Sequence, residues 1–413
     1  MSPELDQILK EAFLQQASDL HLKVGLVPVI RRNGRMQPLG KNSAPLKSHD
    51  LERFSDQLLR TNAEHTKFKH YKEIDLGYGV KGVGRFRINM FLQRGSIRIV
   101  ARTISDKVPS VEGLNLPAVI NKIAYSERGL VLVTGVTGSG KSSTLAAMID
   151  AINHKKSRHI ITLEDPIEFL IRDHRSLISQ REIGFDTTNF STALRAALRQ
   201  DPDVILIGEM RDKETMETAM MAAETGHLVF STLHTANAQE SVNRILGSFE
   251  PHQQNQIRRQ LAANLKAVIS QRLALTKEKT TRVPVVEVMV VNSRIREMIS
   301  NPEKTRMITK AIESSAKGTG MVSFDQSLHQ LIKDGVITLK EGLKLSENPE
   351  DFMLKQKGIS AGARTKTTVR TEAIKSNRET NDGELPSFPD FKLEESDETQ
   401  LKNFKDRIKK NKK

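Results

Sequence analysis

Read as a string of apolar and polar positions, the chain changes rhythm twice. Leu5, Ile8, Leu9, Phe13 and Leu14 recur at helical spacing, which predicts a helix over 4–17. Ser18–Gly25 and Val27–Arg31, closed by a turn at Asn33-Gly34, predict strand, turn and strand. A second helix is expected over about 48–60. Strands resume at Ile74–Tyr78 and across 84–104, where Arg85-Phe86-Arg87-Ile88-Asn89 alternates basic with apolar positions. The expectation is an α+β domain over 1–104, joined by a linker, 105–118, to a second domain.

From 119 the period lengthens. Apolar runs at 130–134, 159–163, 204–207 and 228–233 alternate with helical segments near 143–153, 190–199, 212–224 and 238–246. That rhythm predicts a parallel sheet with helices on both faces, an α/β domain over 119–291. Residues 253–272 read as one further helix, Val283–Val291 as a strand, and 292–354 as a region of two or three helices. Beyond 355 Lys, Thr, Ser, Arg, Glu and Asn dominate, too polar to build a core, so 355–413 is expected to be a disordered tail. Two features interrupt it: the apolar cluster Leu385–Phe391 and a short basic end with Leu401, Phe404 and Ile408 on one face. They suit either a solvated tail or a docking segment.

Composition narrows the function. No apolar run approaches the ~18–20 residues of a membrane span, and the acidic start at Glu4 and Asp6 is no signal peptide, so a cytosolic chain is expected. The absence of cysteine excludes disulfides and thiolate-held zinc. A net charge of +14 points to an acidic partner, but with 4% aromatics and no tryptophan there is no stacking platform to favour nucleic acid.

The chemistry gathers around Gly135-Val136-Thr137-Gly138-Ser139-Gly140-Lys141-Ser142-Ser143. An apolar strand precedes it and a helix comes after, which is the setting a phosphate-binding (Walker A) loop requires. Glycines let successive N–H groups converge on an anion, Lys141 reaches the terminal phosphates, and Ser142 can ligate Mg2+. ATP and Mg2+ are therefore the expected ligands. Ile160–Glu168 brings Glu164 and Glu168 to a strand end. Asp201–Asp212 does the same for Glu209, with Gly208 where an aspartate is usual. Gly226–Thr235 ends a strand on His234, placed to sense the γ-phosphate. Hydrolysis needs a metal to spread charge and a carboxylate to orient water. Lys141, Ser142 and Glu209 are assigned to phosphate and metal. Glu164 is chosen to activate water, with Glu209 as the alternative. Arg195, Arg199 and Arg211 lie near these carboxylates in sequence. Arg85, Arg87, Arg94, Arg98 and Arg102 form either a solvated sheet face or arginine fingers for a neighbouring subunit.

These residues resemble the PilT/PilU family of type IV pilus retraction ATPases, within the secretion ATPase superfamily, over about 3–352. Four motifs carry the likeness: the loop 135–142, the aspartate box Leu163–Phe169, Gly208-Glu209-Met210-Arg211-Asp212, and the histidine box around Thr225-Gly226-His227 and Leu233-His234-Thr235. The resemblance implies a PAS-like N-terminal domain, a RecA-like P-loop NTPase core, and a homohexamer with sites between subunits. It also implies ATP-driven motor activity in twitching motility and docking on a pilus platform protein at the cytoplasmic face of the inner membrane. It supports Glu164 as general base, lets arginines such as Arg85, Arg87 and Arg102 reach the nucleotide, and adds His227 and Arg272 to the candidate nucleotide-binding set. Asn292–Ile299 departs from the PilT element Ala-Ile-Arg-Asn-Leu-Ile-Arg-Glu, and Asn264–Leu273 and Ser323–Leu328 lean toward PilU, an accessory motor that would work beside a paralogous retraction ATPase. An extension or type II secretion ATPase would bring a four-cysteine zinc module, which a chain without cysteine lacks. A low-activity regulatory subunit sits poorly with intact Lys141, Glu164, Glu209 and His234.

Overall fold

The computed structural model describes residues 4–356 apart from 33, 41–43, 106, 280 and 317. The expectations placed on 357–413 lie outside the described residues.

The first part runs α1 (Leu5–Leu14), β1 (Asp19–Lys23), β2 (Val29–Arg32), β3 (Arg35–Pro38), α2 (Ser48–Leu58), α3 (Asn62–Tyr71), β4 (Glu73–Val80), β5 (Gly84–Gln93) and β6 (Ser96–Ile104). Its antiparallel sheet has the order β3-β2-β1-β6-β5-β4. Alternation along β5 buries Phe86, Ile88 and Met90 against Leu5 and Leu9 of α1 and Phe54 of α2 in one apolar cluster. The intervening Arg85, Arg87 and Asn89 belong to the opposite face. The helix expected over 48–60 is α2, and α3 beyond it was not expected. Leu59 turns extended after α2, and Thr61 opens α3 with a capping box, accepting from the Glu64 amide at 3.2 Å while Glu64 accepts from the Thr61 amide at 2.9 Å. No residue of α3 is buried, so no apolar period announced it.

The second part runs α4 (Val119–Ala124), β7 (Gly129–Thr134), α5 (Lys141–Lys155), β8 (His159–Glu164), β9 (Leu177–Glu182), α6 (Phe190–Ala197), β10 (Val204–Ile207), α7 (Lys213–Glu224), β11 (Leu228–Leu233), α8 (Ala238–Leu246), α9 (Pro251–Asn264), β12 (Leu265–Leu275) and β13 (Arg282–Val290). The sheet order is β13-β12-β7-β11-β10-β8-β9, parallel except for β13. β7, β10 and β11 are buried at every position, and two apolar clusters cover the two faces.

Two expectations change here. The helix over 253–272 stops at Asn264, and 265–275 is strand. Leu265 and Val268 enter one cluster while Ala267 and Ile269 enter the other, a two-sided burial that only an extended chain provides. β9 was not expected. As an edge strand it has one neighbour and keeps a mixed polar sequence that gives no apolar run.

More than two or three helices complete the described chain: α10 (Ser293–Ser300), a 3-10 turn at Thr305–Met307, α11 (Ile308–Glu313), α12 (Phe324–Lys333), α13 (Leu339–Leu345) and α14 (Pro349–Gln356). Phe324, Leu328 and Phe352 pack on Ala274, Val283 and Val285. Arg272 of β12 lies 4.0 Å from the Phe324 ring centroid, donates to the Leu345 carbonyl and pairs with Glu347 at 3.0 Å. Among the described residues, no helix is long and apolar enough to cross a membrane.

Candidate active site

β7 delivers the chain into a loop that only glycine could build. Gly135 has φ +140°, and a Cβ there would lie 2.4 Å from the Gln271 carbonyl oxygen. Gly138 (φ +78°) and Gly140 (φ +91°) adopt left-handed conformations that set Lys141 and Ser142 as the first residues of α5. Lys141 Nζ donates to the carbonyls of Gly135 (2.8 Å) and Val136 (3.1 Å). Burial pulls its ammonium below the usual lysine range, while the charges of Glu209 and Glu168 act against that shift. Among the described residues, Ser139 Oγ is buried without a hydrogen-bond partner.

This loop forms one wall of a cavity of about 570 Å3. Thr137, Gly138, Gly140, Lys141, Ser142 and Ser143 line that wall; Glu164, Glu209, Arg211 and His234 line the other, at the carboxyl ends of β8, β10 and β11. Parallel sheets bind ligands at that edge.

Glu164 is tightly held. Thr162 Oγ1 (2.7 Å) and Gln180 Nε2 (3.0 Å) both donate to its Oε1. Burial raises its carboxyl above the usual range; these donors and a bond from the Glu168 backbone pull the other way. Glu209 bridges Arg211 (2.6 Å) and His234 (3.4 Å). At Gly208, a Cβ would meet the Leu163 carbonyl at 3.2 Å and the Phe190 ring at 3.4 Å, so a larger residue would crowd the seam between β10 and β8.

The remaining candidates are elsewhere. Gly135 and Ser139 shape the loop from behind. His227 stands before β11, with Nδ1 2.9 Å from the Ala222 carbonyl. The six residues of β11 separate it from His234, about 20 Å at the rise of a strand. Arg195 of α6 pairs with Glu214, and Arg199, just beyond α6, donates to the Arg195 carbonyl at 3.0 Å; neither lines the cavity. Arg272 is committed to the C-terminal helices. Arg85 pairs with Glu182 (3.3 Å), Arg87 with Asp75 (3.7 Å) and Arg102 with Asp19 (2.9 Å). Within one chain none of these three lines the cavity. Sequence reasoning missed Thr162 and Gln180. Thr162 could have been found, because residues two apart on a strand share a face with Glu164; Gln180 lies on the strand that left no signal.

The donor set suits Mg2+, a hard cation. Among the described residues, no cluster of three or more His, Asp or Glu could hold a metal alone. Mg2+ at a nucleotide site takes one or two protein ligands and shares the rest with phosphates and water. The Ser142 hydroxyl and the Glu209 carboxylate, both lining the cavity, match that requirement.

A model of the type II/IV secretion system protein family matches residues 114–344. The type IV pilus retraction ATPase PilT of Pseudomonas aeruginosa is 40% identical over 349 residues, covering 84% of this chain and 100% of that protein. The type IV pilus ATPase PilU of the same organism is 36% identical, covering 85% and 91%. A crystal structure of the pilus retraction motor PilT with bound ADP superposes with a TM-score of 0.77 at 40% identity, covering 84% of this chain and 98% of that one.

Proposed function

The chain belongs to the type II/IV secretion system protein family, and from that membership and its site we propose that it is an ATPase motor powering type IV pilus retraction. The observation that carries the reading is the convergence of the phosphate loop, Glu164, Glu209 and His234 on one cavity. Amides of 137–142 and Lys141 grip the triphosphate. Ser142 and Glu209 hold Mg2+, which when bound spreads the developing negative charge. Glu164 takes a proton from the attacking water as its oxygen bonds the γ-phosphorus and the bond to the β–γ bridging oxygen breaks. A carboxyl raised toward neutrality suits a base working near pH 7. His234, beside Glu209, positions the γ-phosphate end.

The finer reading is a homohexamer built from an N-terminal domain (1–104), a linker (105–118), a P-loop domain (119–291) and a helical region (292–354). In such a ring Arg85, Arg87 or Arg102 exchanges its carboxylate partner for a neighbour's triphosphate; the 70% exposure of the Arg102 side chain and the 42% of Arg87 suit that exchange. Work is passed to a pilus platform protein at the cytoplasmic face of the inner membrane. An accessory role beside a paralogous retraction ATPase is the second reading, favoured by the sequence of Asn292–Ile299. Deleting the gene tests the function. Excess pili and lost twitching motility are expected; bald cells would place the chain on the extension side.

A further inference from the structure

Gln180 sits on β9 directly opposite Thr162 of β8. Its carboxamide is engaged at both ends. Nε2 donates to Glu164 Oε1 at 3.0 Å and to the Phe169 carbonyl at 2.9 Å, while Oε1 accepts from the Ile171 amide at 2.9 Å. Flipping the amide would set its oxygen against two acceptors and its nitrogen against a donor, so the group has one orientation. The segment it holds is anchored in turn, because the Leu170 amide donates to the Ser105 carbonyl at 3.1 Å at the end of the first sheet. Two residues along β9, Glu182 takes Arg85 at 3.3 Å. A side chain held at two points therefore fixes the third group it touches, the Glu164 carboxylate.

Nothing in the motifs of this site assigns Gln180 a part. Resting on the reading of Glu164 as the base, we propose that Gln180 is its positioning residue: the amide holds the carboxylate in its working orientation and favours its charged form. Thr162 donates to the same oxygen at 2.7 Å and acts with it. The other charged or titratable groups lining the same cavity are Asp165 and Glu168 on its own loop, Lys141 at the head of α5, Glu209 and Arg211 beyond β10, and His234 beyond β11. On β9, Glu182 stands opposite in register, paired with Arg85.

ATP turnover of the full chain, measured from pH 5 to 9 at saturating ATP, tests this alongside the affinity for a fluorescent ADP analogue. Gln180→Leu removes the donor, so the acid limb of the kcat profile should move up by about one pH unit, a roughly tenfold fall in kcat at pH values on that limb. The nucleotide Kd should stay within about twofold of the parent. Thr162→Val should move the limb in the same direction, and Thr162→Ser, which keeps the hydroxyl, should restore the parent profile; these variants carry the test if Gln180→Leu does not fold. An unmoved acid limb in Gln180→Leu or Thr162→Val, even with lower kcat, overturns the proposal and leaves Glu164 in place. Undiminished turnover in Glu164→Gln overturns the reading of the base, and the proposal with it.

Discussion

The two sheets place their charge in opposite ways. The central strands of the second sheet are buried on both faces, so the charged groups of the site appear where strands end, and Glu164, Glu209 and His234 all lie at one edge. The first sheet buries one face under α1 and α2 and leaves the other polar, so its arginines spread along β5 and β6 and pair with scattered carboxylates. An edge focuses charge on a small ligand in its own chain. A face offers charge to something large, which in the proposed ring is another subunit. Their carboxylates differ accordingly. Burial pushes Glu287 on β13 up to about 7. Burial also acts to raise Asp19 on β1, but hydrogen bonds from Arg102 and Ser18 outweigh it and leave the carboxyl below its ordinary value.

The sharpest break would come at the edge. Lys141→Ala should lower ATP turnover at least about a hundredfold and weaken nucleotide binding in equilibrium titration; unchanged affinity would mean that the cavity is not the nucleotide site. Glu164→Gln should cost roughly a hundredfold in kcat while binding persists, and parent-like turnover would shift the base role to Glu209. On the open face, Arg85→Ala, Arg87→Ala and Arg102→Ala should each lower turnover about tenfold or more as arginine fingers do. Melting of Arg87→Ala should change little, because its exposed ion pair with Asp75 contributes about 0–1 kcal/mol. Loss of stability with intact turnover would reduce them to sheet ornament.

The pH response separates the sheets further. Glu287 titrates from 4.5 in the unfolded chain to about 7 in the fold, so the native state holds the extra proton between those values. Its contribution is full below pH 4.5 and is lost as pH rises through about 7, worth roughly 3 kcal/mol at about 1.4 kcal/mol per pH unit. Denaturant melts at pH 5 and pH 8 should therefore converge in Glu287→Gln, whose amide oxygen can still accept from the Ala238 amide. Asp19 behaves in the reverse sense: its contribution is present above its ordinary pKa and is lost as pH falls through the lowered value. Smallest of all, Arg195→Ala should leave stability within about 0.5 kcal/mol and nucleotide affinity unchanged.

The same contrast decided which elements were legible in the sequence. β7, β10 and β11 are buried throughout, so continuous apolar runs announced them, and the glycines of 135–140 were readable because no other residue fits their backbone. α3, which buries nothing, and β9, an edge strand, left no periodic mark. The misreading of 265–272 as helix arose because no glycine or proline interrupts 253–272, and only the pairing of β12 with β7 and β13 decides the conformation. Arg195 and Arg199 were drawn toward the phosphates by proximity in sequence and His227 by the resemblance. Arg195 and Arg199 bond elsewhere, at and just beyond the end of α6, and the length of β11 separates His227 from His234.

Arg272 works as a rivet. It fastens α12 and the end of α13 to β12, and β12 is laddered in parallel to β7, the strand that runs into Gly135. A load borne by those outer helices would pass along β12 to the strand beside the proposed phosphate loop, so periphery and centre share one mechanical path.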